Sequence, residues 1–203
     1  MSPGATFERV YNELKRTLAE GELPPGTPIE PALIGKEIAS SITPIRDALH
    51  RLTGERLVEA PRHDGFRAPL PTEAELRDLY AWNAQVVSLA VKRAALDLVS
   101  APLISISPDG IAATASGLFL EIARATSSNE HLRAVAQLND RLAPYRRVEL
   151  QLWDNAVAEH VELTDQCFSK QRARLGALVL RYHQRRVKAV PLILAAAAPY
   201  QSL

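Results

Sequence analysis

The sequence predicts a mainly α chain in two parts: a short N-terminal domain of three helices and a β-hairpin, followed by an all-α helical bundle. Three observations predict this. Apolar residues recur at intervals of three and four through most long segments. Pro69-Leu70-Pro71 interrupts the pattern once, and two prolines in three residues stop both a helix and a central strand. Only the stretch before that break holds short extended pieces set off by glycine and proline. The expected domains are therefore residues 1–70 and 71–203.

In the first segment Phe7, Val10, Tyr11, Leu14 and Leu18 form one helical stripe, with Thr6 placed to cap its start and Gly21 just past its end. Gly21-Glu22-Leu23-Pro24-Pro25-Gly26 cannot continue a helix and reads as a turn leading into a short extended piece. A second helix is expected over 31–39, with Pro31 suited to its first turn. A third is expected over 41–54, turning Ile45, Ala48, Leu49 and Leu52 inward. Extended pieces at 57–60 and 66–68 then flank Arg62-His63-Asp64-Gly65, a hairpin with Gly65 at its tip. Beyond the proline break, Thr72-Glu73-Ala74-Glu75 has the form of a capping box. Helices are expected over 73–100, 109–126, 130–153, 155–168 and 171–189. Pro102 and Pro108 bracket the first break between them, and Ser127-Ser128-Asn129 marks the second.

Short helices joined by a tight turn and followed by a hairpin are the order of a winged helix-turn-helix, whose third helix lies in the major groove of DNA. Thr43, Arg46 and His50 stand three and four apart, on the face of that helix opposite its apolar stripe. Ser41 stands at its cap, where free backbone N–H groups can hold a phosphate. Arg46 is the residue suited to a bidentate contact with guanine. The hairpin offers Arg62, His63 and Arg67 to the backbone or minor groove, with Gly65 allowing close approach. Bulk charge does not favour this reading. The whole chain carries +1, and residues 1–70 hold nine Lys plus Arg against ten Asp plus Glu, a net of −1. Any DNA-binding surface must come from local placement of charge.

Taken together, Gly21-Glu22-Leu23-Pro24-Pro25-Gly26, Ser41-x-Thr43-Pro44-Ile45-Arg46-Asp47-Ala48-Leu49, Leu52 and Gly54-Glu55-Arg56-Leu57-Val58 resemble the N-terminal domain of GntR-type bacterial regulators. The resemblance implies a homodimer that binds a short palindromic operator, usually as a repressor released by a small metabolite. Two positions depart from the pattern: Ile42 stands where the family usually has arginine after the capping serine, and Ala32 where the second helix often has a basic residue. Each missing arginine is worth ~1–3 kcal/mol if it read a base. The alternative is a winged helix that only dimerises or contacts protein.

The second part is similar to the helical effector domain of the FadR branch, through Asp78-Leu79-Tyr80, Ile122-Ala123-Arg124-Ala125-Thr126, Asn139-x-x-Leu142, Arg146-Arg147 and Glu159-His160. That branch implies a divalent metal, held by an aspartate and three histidines, which in turn holds a carboxylate effector. Here the first two ligand positions are Ala115 and Phe119, neither able to donate. The other two correspond to His160 and His183, a vestigial site at most, since zinc usually takes three or four protein ligands. No metal or other cofactor is expected. Asn83 falls on an apolar stripe where the branch usually has arginine. Asn83, Asn139, His160 and His183 are candidates to line a small polar effector cavity, with Arg146 assisting a carboxylate. Two alternatives stand beside this: each polar group bonds nearby backbone, or the domain only dimerises and Phe119 fills the cavity.

The single cysteine, Cys167, leaves no internal disulfide or cysteine zinc cluster, and its apolar neighbours predict a buried thiol. No apolar leader follows Ser2-Pro3-Gly4. The longest aliphatic run, 191–198, is too short for a bilayer that needs ~20 residues. A cytoplasmic protein is expected. No glycine-rich phosphate loop, His-Glu-x-x-His pair or activated nucleophile is present, so no enzyme is expected.

Overall fold

The structure, a computed structural model, describes residues 3–62, 64–96 and 111–198. His63 and the Pro102 and Pro108 break lie outside the described residues, and the helix expected over 73–100 ends short, at Arg93, where Ala94 turns extended at ψ 137°. The chain divides into two compact units, the first running through Pro71 and the second spanning Thr72–Ala196.

In the first unit, α1 spans Pro3–Ala19. It begins at Pro3 rather than after a Thr6 cap, since proline is pre-set for a first helical turn. It ends as the glycine predicts: Gly21 has φ +70°, its N–H reaches the Leu18 carbonyl, and Glu22 N–H reaches that of Thr17. After the turn come β1 (Pro28–Ile29) and α2 (Pro31–Glu37). Helix α2 stops two residues before the expected end, because Ala39 turns to φ +49° and Ser40 N–H bonds back to Gly35. Gly35 allows this closure, as a Cβ there would sit 2.9 Å from the Ser40 carbonyl oxygen. Helix α3 spans Ile42–Gly54. It closes in the same way on a non-glycine residue, Arg56 at φ +61°, with Leu57 N–H bonded to Leu52.

The expected hairpin needs one correction. Phe66–Arg67 forms β2, which pairs antiparallel with β1. On the side of 57–60, β2 meets only Glu59, through a single bridge with two 2.9 Å hydrogen bonds to Arg67. Strand β2 is thus central, held by β1 on one edge. Val10, Leu14, Ile29, Ile45, Leu49, Leu52, Val58 and Ala68 close one core beneath these elements.

The second unit opens with α4 (Glu73–Arg93) and the predicted capping box, in which Thr72 and Glu75 satisfy each other's backbone N–H. Then come α5 (Ile111–Arg124), α6 (Asn129–Arg147), α7 (Glu149–Leu152), α8 (Ala156–Phe168) and α9 (Arg172–Ala197). The single helix expected over 130–153 is two. Pro144 has no N–H for the carbonyl four residues back, and the chain turns at Val148 a turn later. In contrast, α9 runs through Pro191 instead of ending at 189. Val190 and Ile193 are fully buried there, and burying two such side chains is worth ~1.5–3 kcal/mol each, enough to offset the ~3 kcal/mol cost of an internal proline.

Candidate functional site

Helix α3 buries Ile45, Ala48, Leu49 and Leu52 and turns Thr43, Arg46 and His50 to solvent. The split follows the helical repeat. Ser41 stands at the N-cap in an extended conformation, exposed, and its hydroxyl makes no capping bond. The amide end of α3 is therefore open to an anion. His50 is held edge-on against Phe66 of β2, with ring centroids 5.1 Å apart, which fixes the imidazole between recognition face and wing.

The acidic balance of this unit resolves once partners are assigned. Arg16 on α1 gathers Glu13, Glu20 and Glu22. Arg51 pairs with Glu8 and Glu55, and Glu55 also accepts from the Tyr11 hydroxyl at 2.7 Å. Arg67 is paired with Glu59 across the strand bridge at 2.7 Å, so this predicted wing contact is partly neutralised. Among the described residues of this unit, exposed Lys36, Arg46, Arg56 and Arg62 make no ion pair, and exposed Arg9 donates to the Ile38 carbonyl at 3.0 Å. The unpaired positive charge lies on α2, on the exposed face of α3, just past the end of α3 at Arg56, and beside the wing tip, where Gly65 takes φ +70°.

In the second unit, Asn83 of α4, Asn139 and Arg146 of α6, His160 of α8 and His183 of α9 are all buried. Arg146 and Arg147, adjacent in sequence, part company: Arg147 is exposed and Arg146 is 0% exposed. Four of these five residues form a connected network. Arg146 Nη1 donates to Asn139 Oδ1 at 2.8 Å and to Ser116 Oγ at 3.0 Å, and Nη2 to Asn83 Oδ1 at 3.2 Å. His183 Nε2 lies 2.6 Å from the same Asn83 oxygen. His160 stands apart, 5.6 Å from the Tyr182 ring, which is itself 5.0 Å from His183. Both histidines give Nδ1–H to the carbonyl one turn back, at 2.7 Å. Burial lowers the pKa of both, that of His183 to about 3, so both are neutral with Nε2 as a lone pair. Several buried polar atoms here have no partner: Tyr80 and Tyr182 hydroxyls, Asn83 Nδ2, Arg146 Nε and His160 Nε2.

Sequence reasoning passed over Glu149 and Arg186, the strongest ionic contact of this interior. Both are 0% exposed. The Glu149 carboxylate takes Arg186 Nε at 3.0 Å and Nη2 at 2.5 Å, while Nη1 reaches Glu159 at 2.8 Å and the Tyr182 carbonyl at 2.9 Å. The Arg186 guanidinium stacks 3.3 Å over the Tyr182 ring. The signal was available: Arg186 continues the stripe Leu175, Val179, Tyr182 and Val190, where a charge needs an internal partner.

As for metal ligands, the two positions on α5 that the branch resemblance points to are buried Ala115 and Phe119. Phe119 stacks on His183 with centroids 5.5 Å apart. Among the described residues no three His, Cys, Asp or Glu side chains converge as a metal site.

Residues 6–68 match the family described as bacterial regulatory proteins, gntR family. The HTH-type transcriptional repressor GlaR of Escherichia coli (strain K12) is 32% identical over 87 residues, 41% of this chain and 40% of its own length. The uncharacterized HTH-type transcriptional regulator YdhC of Bacillus subtilis (strain 168) is 28% identical over 90 residues, 44% of this chain and 40% of its own length. The matched stretch thus spans about two fifths of these relatives. Among solved structures, E. coli McbR/YncC superposes with a TM-score of 0.70 at 16% identity, covering 92% of this chain and 97% of that one. A GntR transcriptional regulator from Rhodococcus sp. RHA1 superposes at 0.71 and 17% identity, covering 95% and 99%. At such identities the likeness shows the fold alone: a helix-turn-helix domain followed by a helical C-terminal domain. The sequence relatives are transcriptional regulators, not enzymes. Among the described residues, no helix is long and apolar enough to cross a membrane.

Proposed function

We propose that this chain, whose first domain is of the gntR type, is a DNA-binding transcriptional regulator. It acts as a homodimeric repressor of a palindromic operator and is released by a small carboxylate. The exposed face of α3 carries the reading, because Thr43, Arg46 and His50 project from it opposite a fully buried stripe. In a winged helix this is the face that enters the major groove. Ser41 and the open helix N-terminus receive a phosphate, and Arg62, His63, Gly65 and Arg67 of the wing follow the backbone. Exposed Trp82 and Leu89 on α4, and Leu180 and Leu192 on α9, supply apolar surface for pairing two copies.

The test begins by selecting an operator from random duplexes with the purified chain. The Arg46→Ala variant is then compared with wild type on the selected site and on unrelated DNA. A lost base contact of ~1–3 kcal/mol weakens the selected site roughly 5- to 150-fold and leaves unrelated DNA nearly unchanged. Equal losses on both would remove Arg46 as a base reader.

A second reading, a DNA-binding dimer whose helical domain has lost effector and metal, is favoured by one observation. Phe119 packs among Tyr182, His183 and Arg146, where it occupies part of the interior.

A further inference from the structure

The second unit buries two arginines, and they are treated differently. Arg186 has its Nε and Nη2 edge filled by both oxygens of the Glu149 carboxylate, at 3.0 and 2.5 Å. Arg185 and Arg186 together balance Glu149 and Glu159. Arg146, equally buried, meets no carboxylate among the described residues. Its partners are the side chains of Ser116, Asn139 and Asn83, and Nε on the corresponding edge has none. A buried guanidinium is strongly stabilised by a bidentate anion and costly without one.

The hydrogen bonds around it do not close. With Nδ1–H committed to Val179, His183 Nε2 is a lone pair facing the Asn83 oxygen at 2.6 Å, acceptor against acceptor. A second proton on His183 would mend the contact, but burial and the nearby Arg146 and Arg186 charges oppose it. Turning the Asn83 amide over lets Nδ2 donate to His183 instead. That places an NH2 group against the Arg146 Nη2–H, donor against donor. In either setting one contact fails, and the amide that satisfies His183 leaves Arg146 in need of an acceptor. A carboxylate on the Nε and Nη2 edge supplies it.

We propose that the helical unit binds a small carboxylate directly on the Nε and Nη2 edge of Arg146, and that no metal ion takes part. The Glu149 carboxylate on Arg186 shows the same geometry within the same interior. The residues present do not fit a divalent cation. Ala115 and Phe119 offer no ligand atom, the His183 lone pair is directed at Asn83, and a fixed positive charge sits on that same amide. The guanidinium provides, as a permanent charge of the fold, the attraction that a bound ion would provide. This inference rests on the effector-responsive reading and specifies its site.

The experiment uses the full chain with acetate and glycolate as probes, at constant ionic strength made up with chloride, in parallel arms with EDTA or, without EDTA, with added Zn²⁺ or Mn²⁺. Thermal unfolding is followed with increasing probe. Binding to the native state raises the midpoint by a few degrees at concentrations well above Kd. The shift is expected in the EDTA arm, equal in the EDTA-free arm with Zn²⁺ or Mn²⁺, and kept in the exposed-neighbour control Arg147→Lys. It is expected to be lost in Arg146→Lys, which keeps the charge but not the fork. No shift with either probe beyond that of chloride at equal ionic strength, a shift that appears only with added metal, or an equal shift in Arg146→Lys would each overturn the proposal. Should Arg146→Lys not fold, the wild-type arms with and without metal still decide. Operator affinity is read alongside. A metal-free shift that leaves operator binding unchanged upholds the anion site and removes effector control. Operator release by a ligand that Arg146→Lys still obeys does the reverse.

Discussion

Substituting Glu149→Gln removes one charge from the interior with almost no change in shape, which makes its cost readable from the geometry. Glu149 and Arg186 are both fully buried, and the carboxylate holds two of the guanidinium N–H groups. Breaking such a pair typically costs about 3–5 kcal/mol, since the remaining charge is left in a medium that cannot solvate it. Two features place this case near the lower end. Glu159 still reaches Arg186 Nη1 at 2.8 Å, and the Gln amide oxygen can accept one of the two lost bonds. A loss of about 3 kcal/mol is expected. The assay is urea unfolding followed by intrinsic tryptophan fluorescence, because Trp82 and Trp153 are the chain's two tryptophans and both lie in the second unit. Trp153 is the direct reporter, with Arg186 5.1 Å from its ring. Replacing both partners by apolar residues, Glu149→Leu with Arg186→Met, should recover most of the loss, as hydrophobic replacements of buried pairs often do. A single-variant loss below 1 kcal/mol would refute the reasoning. It would mean that water or another anion reaches the guanidinium.

Two further outcomes follow from the same interior and from the end of α3. Arg56 holds a left-handed conformation at φ +61°, which costs a residue with a side chain about 1–2 kcal/mol. Arg56→Gly relieves that, less the ~0.5–1 kcal/mol of extra unfolded-chain freedom, so α3 amides should gain about 0.5 kcal/mol of protection in hydrogen exchange. His183 has a folded pKa of about 3, below its unfolded value near 6.5, so the unfolded state binds the extra proton. Its stabilising effect is complete above pH 6.5 and is lost as the pH falls through the window from 6.5 to 3, at up to roughly 1.4 kcal/mol per unit. Denaturant midpoints of the second unit should fall steadily from pH 7 to pH 4.5, and more gently in His183→Gln.

Exposure on a regular helix is a matter of period, and so the division of α3 into a buried stripe and the face of Thr43, Arg46 and His50 was legible before any coordinates. The burial of Asn83, His160 and His183 was legible for the same reason, as each interrupts an apolar stripe, while Asn139 was singled out only by the branch resemblance. The partners were not legible, because they depend on which helices face each other. Asn83 and His183 are 100 positions apart, and Glu149 and Arg186 are 37 apart. Arg146 and Arg147 look alike in sequence, and only the 100° step between neighbours on a helix separates one into the interior. The hairpin was legible only in part: 57–60 meets Phe66–Arg67 through the Glu59–Arg67 bridge, while the ladder with β1 joins residues 37 and 39 positions apart, which local turn signals do not reveal.

Under the proposed operator-binding function, the carboxylates gathered around Arg16 and Arg51 have a kinetic consequence for the search for one site among very many. A domain with net −1 charge gains little from the counterions that any duplex releases, so its hold on arbitrary sequence is weak and its dwell time there is short. Lys36, Arg46 and Arg62 carry unpaired charge near the recognition face, and they engage when that face meets the groove. Encounters in other orientations bring Glu13, Glu20 and Glu22 toward phosphate and are rejected. Such a molecule exchanges rapidly with the surrounding solution and samples DNA by repeated brief collisions rather than by long sliding. Its selectivity then comes as much from leaving wrong sites quickly as from holding the right one.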